Sequence, residues 1–368
     1  MLFTTGALLF VLGMLPYGVY AAGIAFGRRT DAPPAPPAYP PISIVIPAYN
    51  EAAVIRGRIE NIAAMAYPGG CEVLLVDDRS ADATAGIARE TFQHTGIAGT
   101  VLHNDERMGT NRSFNRGIAQ AVHDTIVTTG ADVYFAPGAL ETVVARLLSD
   151  PRIGAVCADM LPRQGGIATA GMEATYRSMY GRMCAWESAH DSTYNFNGGL
   201  VVFRRGVVEK IRERKGADDA NTAFEAIRKG FRAFYEIRAV VYEDIPEQRR
   251  GQQGQKIRRA TRLIEATLAN LDLLRQQRPF SRFFYPVRIA MLIASPALIF
   301  AGIALLLAGL ALLIPAAAGV LALALLLLAV FRPQHAAATF LISQYYLLAG
   351  LLRLGRDMRV WESTSAKG

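Results

Sequence analysis

The first 27 residues carry no charge, and Arg28-Arg29 close the run. A ~30 Å hydrocarbon layer needs about 20 apolar residues, so Met1–Gly27 predicts a transmembrane anchor. A secretory signal would start basic and have a shorter apolar core, so the uncleaved anchor is preferred. The basic pair places the following domain on the cytoplasmic face. A second run without charge extends from Ile289 to Phe331, and Pro315 divides it into two crossings of about 20 residues each. A third stretch, 333–352, holds Gln344, Tyr345 and Tyr346 and has arginines on both sides. It can span, re-enter or lie in the interface, which leaves three or four spans open; residues 353–368 read as a cytoplasmic tail. Over 263–288, Leu263, Leu268, Leu271 and Leu274 alternate with polar residues. That pattern suits an interfacial helix, with Phe280, Phe283, Phe284 and Tyr285 at headgroup depth.

Between these apolar regions the pattern changes. Residues 28–41 are proline-rich and read as a semi-rigid linker. The block 42–262 then alternates short apolar runs with amphipathic ones. Ile42–Ile46 predicts a buried strand closed by Pro47, and Ala52–Ala66 a helix. Glu72–Val76 predicts a second strand. Ser80 is placed to cap a helix over Ala81–His94, with Asp82 in its first turn. Asn111–His123 reads as a helix, Thr125–Thr129 as a strand, and Pro137 starts a further helix. Alternation of this kind gives an α/β fold with a mainly parallel central sheet. Ligands of such sheets sit beyond the carboxyl ends of the strands.

Composition sharpens the class. Hydrophobic residues make up 52% and charged residues 19%, the latter below the roughly 25% of soluble domains. Mean hydropathy is +0.22. A disordered or fibrous chain is excluded, and a membrane-attached globular protein is indicated. The net charge of +8 could suit nucleic acid. The arginines cluster beside apolar runs, however, and the 42–262 block lacks basic–aromatic interleaving, so membrane lipids and phosphorylated substrates fit better than nucleic acid. Cys71, Cys157 and Cys184 have neither zinc spacing nor a disulfide pattern, and none of the five histidines has ligand spacing.

Polar clusters follow the strands. Pro47-Ala-Tyr49-Asn-Glu51 ends the first, Asp77-Asp78-Arg-Ser80-Ala-Asp82-Ala-Thr84 the second, and Gly130-Ala-Asp132 the third. Carboxylates there can bond ribose hydroxyls or a base edge, or hold a hard cation. Taken in order, these stretches resemble the nucleotide-sugar half of the family 2 glycosyltransferases, which have the glycosyltransferase A-type fold. The resemblance continues in Gly109–Gly117, where Asn115 precedes Arg116-Gly117. It extends to Asn197-Gly198-Gly199, which is similar to the acceptor-side glycine turn. Asp218-Asp219 is similar to the family's acidic pair, and Gln255-Lys-Ile-Arg258-Arg259 to the Gln-x-x-Arg-Trp of membrane synthases.

By that resemblance Pro47, Tyr49, Glu51, Asp78 and Asn115 would hold the base and ribose of a nucleotide diphosphate sugar, a UDP-sugar first among them. Asp132 would ligate Mg²⁺ or Mn²⁺ at the diphosphate, and Gln255, Arg258 and Arg259 would embrace the diphosphate or the acceptor. Asp219 would be the general base. Asn197, Gly198, Gly199, Asp218 and Trp186 would line the acceptor side. The implied activity is inverting transfer of a sugar to a lipid-linked or glycan acceptor at the cytoplasmic face of the cell membrane. Three departures stand out. Gly130 replaces the first carboxylate of the Asp-x-Asp pair, Thr110 stands where lysine is usual, and Arg259 replaces the tryptophan typical of processive synthases. A processive polysaccharide synthase and a degenerate, non-catalytic membrane subunit are the alternatives. Without the resemblance, Asp218-Asp219 would read as helix-capping carboxylates, the glycine pair as a turn, and Trp186 as core.

Overall fold

The computed structural model describes residues 1–163, 168–213, 216–244, 249–333 and 335–355. They form two compact units. In the first, helix α1 (Leu2–Phe26) joins most of α6 (Ala168–His190), α8 (Arg249–Ala269), α9 (Phe280–Leu313), α10 (Pro315–Phe331) and α11 (Ala336–Leu351). The second is an α/β unit with the remaining elements.

The α/β unit is built on an eight-stranded sheet of order β3-β2-β1-β4-β7-β6-β8-β5 among the described residues. Strands β1 (Ile42–Ala48), β2 (Cys71–Asp77), β3 (Ala98–His103) and β4 (Thr125–Thr128) pair in parallel, as do β6 (Ile153–Pro162) and β8 (Arg232–Glu243). Strands β5 (Val133–Phe135) and β7 (Val201–Arg204) run antiparallel to their neighbours. All seven residues of β1 are buried, as a mainly apolar run demands of a strand covered on both faces, and its polar residue Ser43 donates to Glu72. Helices α2 (Ile55–Ala64), α3 (Thr84–Thr95), α4 (Thr110–Gln120), α5 (Ala139–Ser149) and α7 (Asp218–Arg228) complete the unit. Pro47 lies beyond the last β1–β4 pair, where the ladder on that side has ended, so its missing N–H costs little.

Two arginines tie the linker to this unit. Glu236, fully buried, accepts from Arg146 Nε at 2.7 Å and Arg238 Nη1 at 3.0 Å. The same two guanidinium groups donate to the carbonyls of Asp31 and Thr30.

Among the described residues two helices are apolar and long enough to cross a membrane: Leu2–Phe26 and Phe280–Leu313. The chain breaks at Ile314, as Pro315 requires. The stretch 263–288 is not the single interfacial helix expected. It comprises the end of α8, a 3₁₀ turn over Leu271–Arg275, and the first turns of α9. Phe280, Phe283 and Phe284 therefore open a long helix, whose first turns accommodate Pro286.

Helices α1 and α9 pack antiparallel through residues seven apart, Gly6 and Gly13 on one, Gly302 and Gly309 on the other. A Cβ on Gly6 would lie 2.8 Å from Leu306 N, one on Gly13 2.8 Å from Ile299 Cγ1, and one on Gly302 2.6 Å from Phe10 N. Small residues let helix backbones approach where hydrophobicity alone does not drive association. Gly302→Ala should therefore lower stability by about 1–3 kcal/mol through overpacking. Thermal melts in detergent check this, with Gly319→Ala, which meets nothing within 4 Å, as the unchanged control.

Candidate active site

The loops after β1 and β2 are one knot. Asn50 N–H donates to Ser80 Oγ at 3.0 Å, and Ala81 N–H to Asn50 Oδ1 at 2.8 Å. Glu51 N–H donates to Thr84 Oγ1 at 2.8 Å, and Ala52 N–H to Asp82 Oδ2 at 3.1 Å. The Asn-Glu and Asp-Asp-x-Ser-x-Asp-x-Thr stretches are thus two halves of one structure. Ser80 does not cap α3 as expected, because its hydroxyl serves Asn50. The helix starts later, at Thr84, where Asp82 Oδ1 accepts from Thr84 N at 3.0 Å. The Glu51 carbonyl starts α2 by accepting from Val54 N and Ile55 N.

Asp78 is buried, at 2% exposure, and holds the loop before α4. Its Oδ1 accepts from Asn104 Nδ2 at 2.8 Å and Met108 N at 2.7 Å, its Oδ2 from Gly109 N at 2.9 Å. A carboxylate has about four lone-pair sites, so most of its capacity is engaged within the chain. Asp77 similarly accepts from Ser80 N at 3.2 Å and faces His103 Nδ1 at 3.1 Å. Tyr49 lies beside this loop, with the Arg107 guanidinium 3.3 Å from its ring centroid. Asn115 is engaged differently from the expectation. Its amide clasps the Ile211 backbone, accepting from the N–H at 2.7 Å and donating to the carbonyl at 2.8 Å. It fastens the segment after β7 onto α4.

Asp132 is half-buried after β4. Beneath its loop lies Arg58, fully buried. Arg58 donates to Gly130 O at 3.3 Å, Asn61 Oδ1 at 2.9 Å and Thr129 Oγ1 at 3.0 Å, and its guanidinium lies 3.9 Å from the Phe135 ring centroid. Burial lowers its pKa to about 9, against the pull of Asp132, which leaves it charged at neutral pH. A Cβ on Gly130 would come within 2.9 Å of Asp132 Oδ1. The missing first carboxylate of the pair thus corresponds to space that Asp132 uses.

Thr129 links this loop to the acceptor-side turn, its hydroxyl donating to Gly199 O at 2.6 Å. Asn197 is held by Ala158 O at 2.8 Å and Tyr235 Oη at 3.2 Å. Gly198 has φ +71°, and a Cβ there would lie 3.4 Å from Asp219 Oδ2, so glycine is favoured by backbone and neighbour together. Asp219 begins α7 beside Asp218, its Oδ1 accepting from Ala220 N at 2.7 Å. Asp132 and Asp219 thus lie on loops connected by the Thr129–Gly199 hydrogen bond and by the nearness of the Asp219 carboxylate to Gly198.

The remaining expected residues lie in the helical unit. Gln255, Arg258 and Arg259 stand on α8, spaced so as to share a face. Trp186 meets Tyr20 and Phe284, each with ring centroids 5.1 Å away and edge to face. A Cβ on Gly23 would overlap its indole. Those contacts pack α1, α6 and α9 together and give Trp186 the core role that its sequence context also allowed.

Sequence reasoning missed Arg58, Thr129 and Arg107. Arg58 carried a signal, since it shares the apolar face of α2 with Ile55, Ile59 and Ile62. Thr129 and Arg107 carried none, because their partners are distant in sequence.

A hard cation takes oxygen ligands and is often held by one or two carboxylates together with substrate phosphates. Among the described residues no group of three His, Cys, Asp or Glu side chains could hold a metal ion. Asp132 fits a cation shared with a diphosphate.

A mostly parallel sheet with polar loops knotted at its strand ends is the arrangement of the glycosyltransferase A-type fold. The model of the glycosyl transferase family 2 matches residues 43–212. It is 22% identical over 221 residues to poly-beta-1,6-N-acetyl-D-glucosamine synthase of Staphylococcus aureus, covering 59% of this chain and 53% of that protein. To the N-acetylglucosaminyltransferase of Rhizobium meliloti it is 22% identical over 260 residues, covering 66% of this chain and 60% of that protein. The chain thus spans just over half the length of these relatives. The mannosyltransferase PcManGT from Pyrobaculum calidifontis, solved in complex with GDP-Man and Mn²⁺, is similar over 97% of this chain and 100% of its own, with a TM-score of 0.82 and 26% identity.

The knot is sensitive to pH. Burial raises the Asp82 carboxyl, but bonds from the Thr84 hydroxyl and the Thr84 and Ala52 amides outweigh it and hold the pKa below the usual range. Stability from a depressed carboxyl is present above its unfolded value of about 3.9 and is lost as pH falls through the folded one. Asp82→Asn should lower the melting temperature at neutral pH, and its gap to wild type should narrow below about pH 4. Melts across that range decide it; a constant gap would deny the carboxylate its charged role.

Proposed function

We propose that the protein is a membrane-bound inverting glycosyltransferase. It moves a sugar from a nucleotide diphosphate sugar to a lipid-linked or glycan acceptor at the cytoplasmic face. The observation that carries this reading is the link from Asp132 through Thr129 and Gly199 to Gly198 and Asp219. It supports the reading because the residues assigned to the diphosphate and to the proton then stand on connected loops. The similarity to a mannosyltransferase solved with GDP-Man and Mn²⁺ supports a nucleotide donor and a divalent metal. The apolar helices Leu2–Phe26 and Phe280–Leu313 support membrane attachment, with 1–27 as anchor, 28–41 as linker and 42–262 as catalytic block. Spans over 289–331 and a membrane segment over 333–352 complete the proposed multi-pass arrangement.

In this mechanism Tyr49 and Glu51 bind the nucleoside, and the knot they belong to fixes their backbone. Asp78 acts by holding the 104–109 loop. Asp132 orients the diphosphate; Mg²⁺ or Mn²⁺, when bound there, neutralises charge on the leaving phosphate. Gln255, Arg258 and Arg259 are assigned to the diphosphate, where a guanidinium fork matches phosphate oxygens. Asp219 accepts the proton of the acceptor hydroxyl, and Gly198 leaves its carboxylate accessible. Attack from the face opposite the leaving group inverts the anomeric carbon. Asp218 and the 197–199 turn shape the acceptor side. Polymer synthesis is the second reading, favoured by the name of the Staphylococcus aureus relative; the length of the product separates it from single transfer.

Asp219→Asn should lower turnover by about 10²–10⁴-fold, the usual worth of a general base, with nucleotide affinity unchanged. Loss of both in equilibrium binding and turnover assays would make the residue structural. Because Asp132 is a single carboxylate, Mn²⁺ titrated calorimetrically should bind tightly only when a nucleoside diphosphate is present. Tight binding of the metal alone would require another ligand set.

A further inference from the structure

The segment 129–135, which carries Asp132, is gripped by one turn of α2. Arg58 takes its near end: Nη2 donates to Thr129 Oγ1 at 3.0 Å, Nε to Gly130 O at 3.3 Å, and Nη1 to Asn61 Oδ1 at 2.9 Å. Asn61 takes the far end, its Oδ1 accepting from Phe135 N at 2.8 Å and its Nδ2 donating to Phe135 O at 3.1 Å. The guanidinium also lies over the Phe135 ring. Asp132 stands between the two ends of this clamp, and its Oδ1 reaches back to within 2.9 Å of where a Gly130 Cβ would be.

Arg58 is fully buried, so it acts on a ligand through its field and not by touch. Its three nitrogens all serve neutral oxygens, and among the described residues it forms no ion pair. Arg146, buried in the same unit, has Glu236 at 2.7 Å. A buried charge without a counter-ion is costly, and the other buried residues on that face of α2 are Ile55, Ile59 and Ile62. The cation remains charged at neutral pH, and Asp132 is the carboxylate whose charge reaches it.

The charge balance of the loop follows. Where two carboxylates were expected, at 130 and 132, this chain has one, with a guanidinium behind it. A pair of carboxylates attracts a bare divalent cation and repels a diphosphate. One carboxylate backed by a buried cation attracts the bare metal ion less and repels the diphosphate less. We propose that Arg58 is a positioning residue of the donor site, holding the Asp132 segment and supplying a buried positive charge that favours the diphosphate over the bare metal ion. The proposal rests on the donor site assigned above.

The test uses the full chain in detergent micelles. GDP and UDP are titrated in EDTA and in Mn²⁺, and Mn²⁺ is titrated alone, with the free ion read by electron paramagnetic resonance. Wild type should bind at least one of the nucleotides measurably in EDTA as well as in Mn²⁺. Arg58→Met keeps the length of the side chain and removes its charge. It should weaken nucleotide binding in EDTA about tenfold or more and strengthen binding of Mn²⁺ alone by a similar factor, the size expected for one unit charge a few ångströms away in a protein medium. Adding Asp132→Asn should abolish the gain for Mn²⁺. Arg58→Lys, which keeps the charge, should retain nucleotide binding in EDTA. A role in packing alone would weaken both affinities or change neither. That result, nucleotide binding by wild type only when Mn²⁺ is present, or a lysine variant that behaves like the methionine one would each overturn the inference and leave the donor site standing. If Arg58→Met fails to fold, the wild-type and lysine measurements decide it. If neither nucleotide binds wild type in any condition, the donor site falls and this inference with it.

Discussion

A buried carboxylate organises the loops at the ends of β1 and β2. Asp78 sits at the end of β2 with almost no contact with solvent, and three N–H groups from the 104–109 loop converge on it. Hydrogen bonds to an ionised group are worth more than neutral ones, and a buried charge without partners is costly. The loop and the carboxylate therefore need each other. Once they are joined, the start of α4, the seat of Arg107 and the ring of Tyr49 follow. The knot between the β1 and β2 loops performs the same task next door, through Asn50, Ser80, Asp82 and Thr84.

The other half of the site depends on a single hydroxyl. Thr129 accepts from Arg58 and donates to Gly199, so the buried guanidinium and the glycine turn share one atom. A change on either side is felt on the other. In this way Asp132 and Asp219 sit on connected loops although some 87 residues separate them.

Much of this was legible in the chain. The apolar runs gave β1, β2 and β4, and the polar clusters after them marked the strand ends where the loops are knotted. What escaped has a physical cause. Strand β3 is largely exposed, so it shows no apolar run. The helix of Phe280–Leu313 swallowed residues assigned to the membrane surface, since nothing in 280–288 breaks a helix apart from Pro286, which the first turns of the helix accommodate. Motif residues were found more readily than their duties. Asp78 and Asn115 are where a ligand reading put them, yet their side chains hold backbone, and such pairings depend on segments about 30 and 96 residues away.

The seven-residue spacing of glycines between α1 and α9 also sets a timetable. Helix α1 is made first, and the partner that fills its Gly6 and Gly13 notches emerges almost 300 residues later. At translation rates of about 5–20 residues per second, that is a delay of roughly 15 to 60 seconds. During it the notches are lined by whatever surrounds the nascent chain. The leading helix is therefore held provisionally, and closure of the bundle must await the far end of the message.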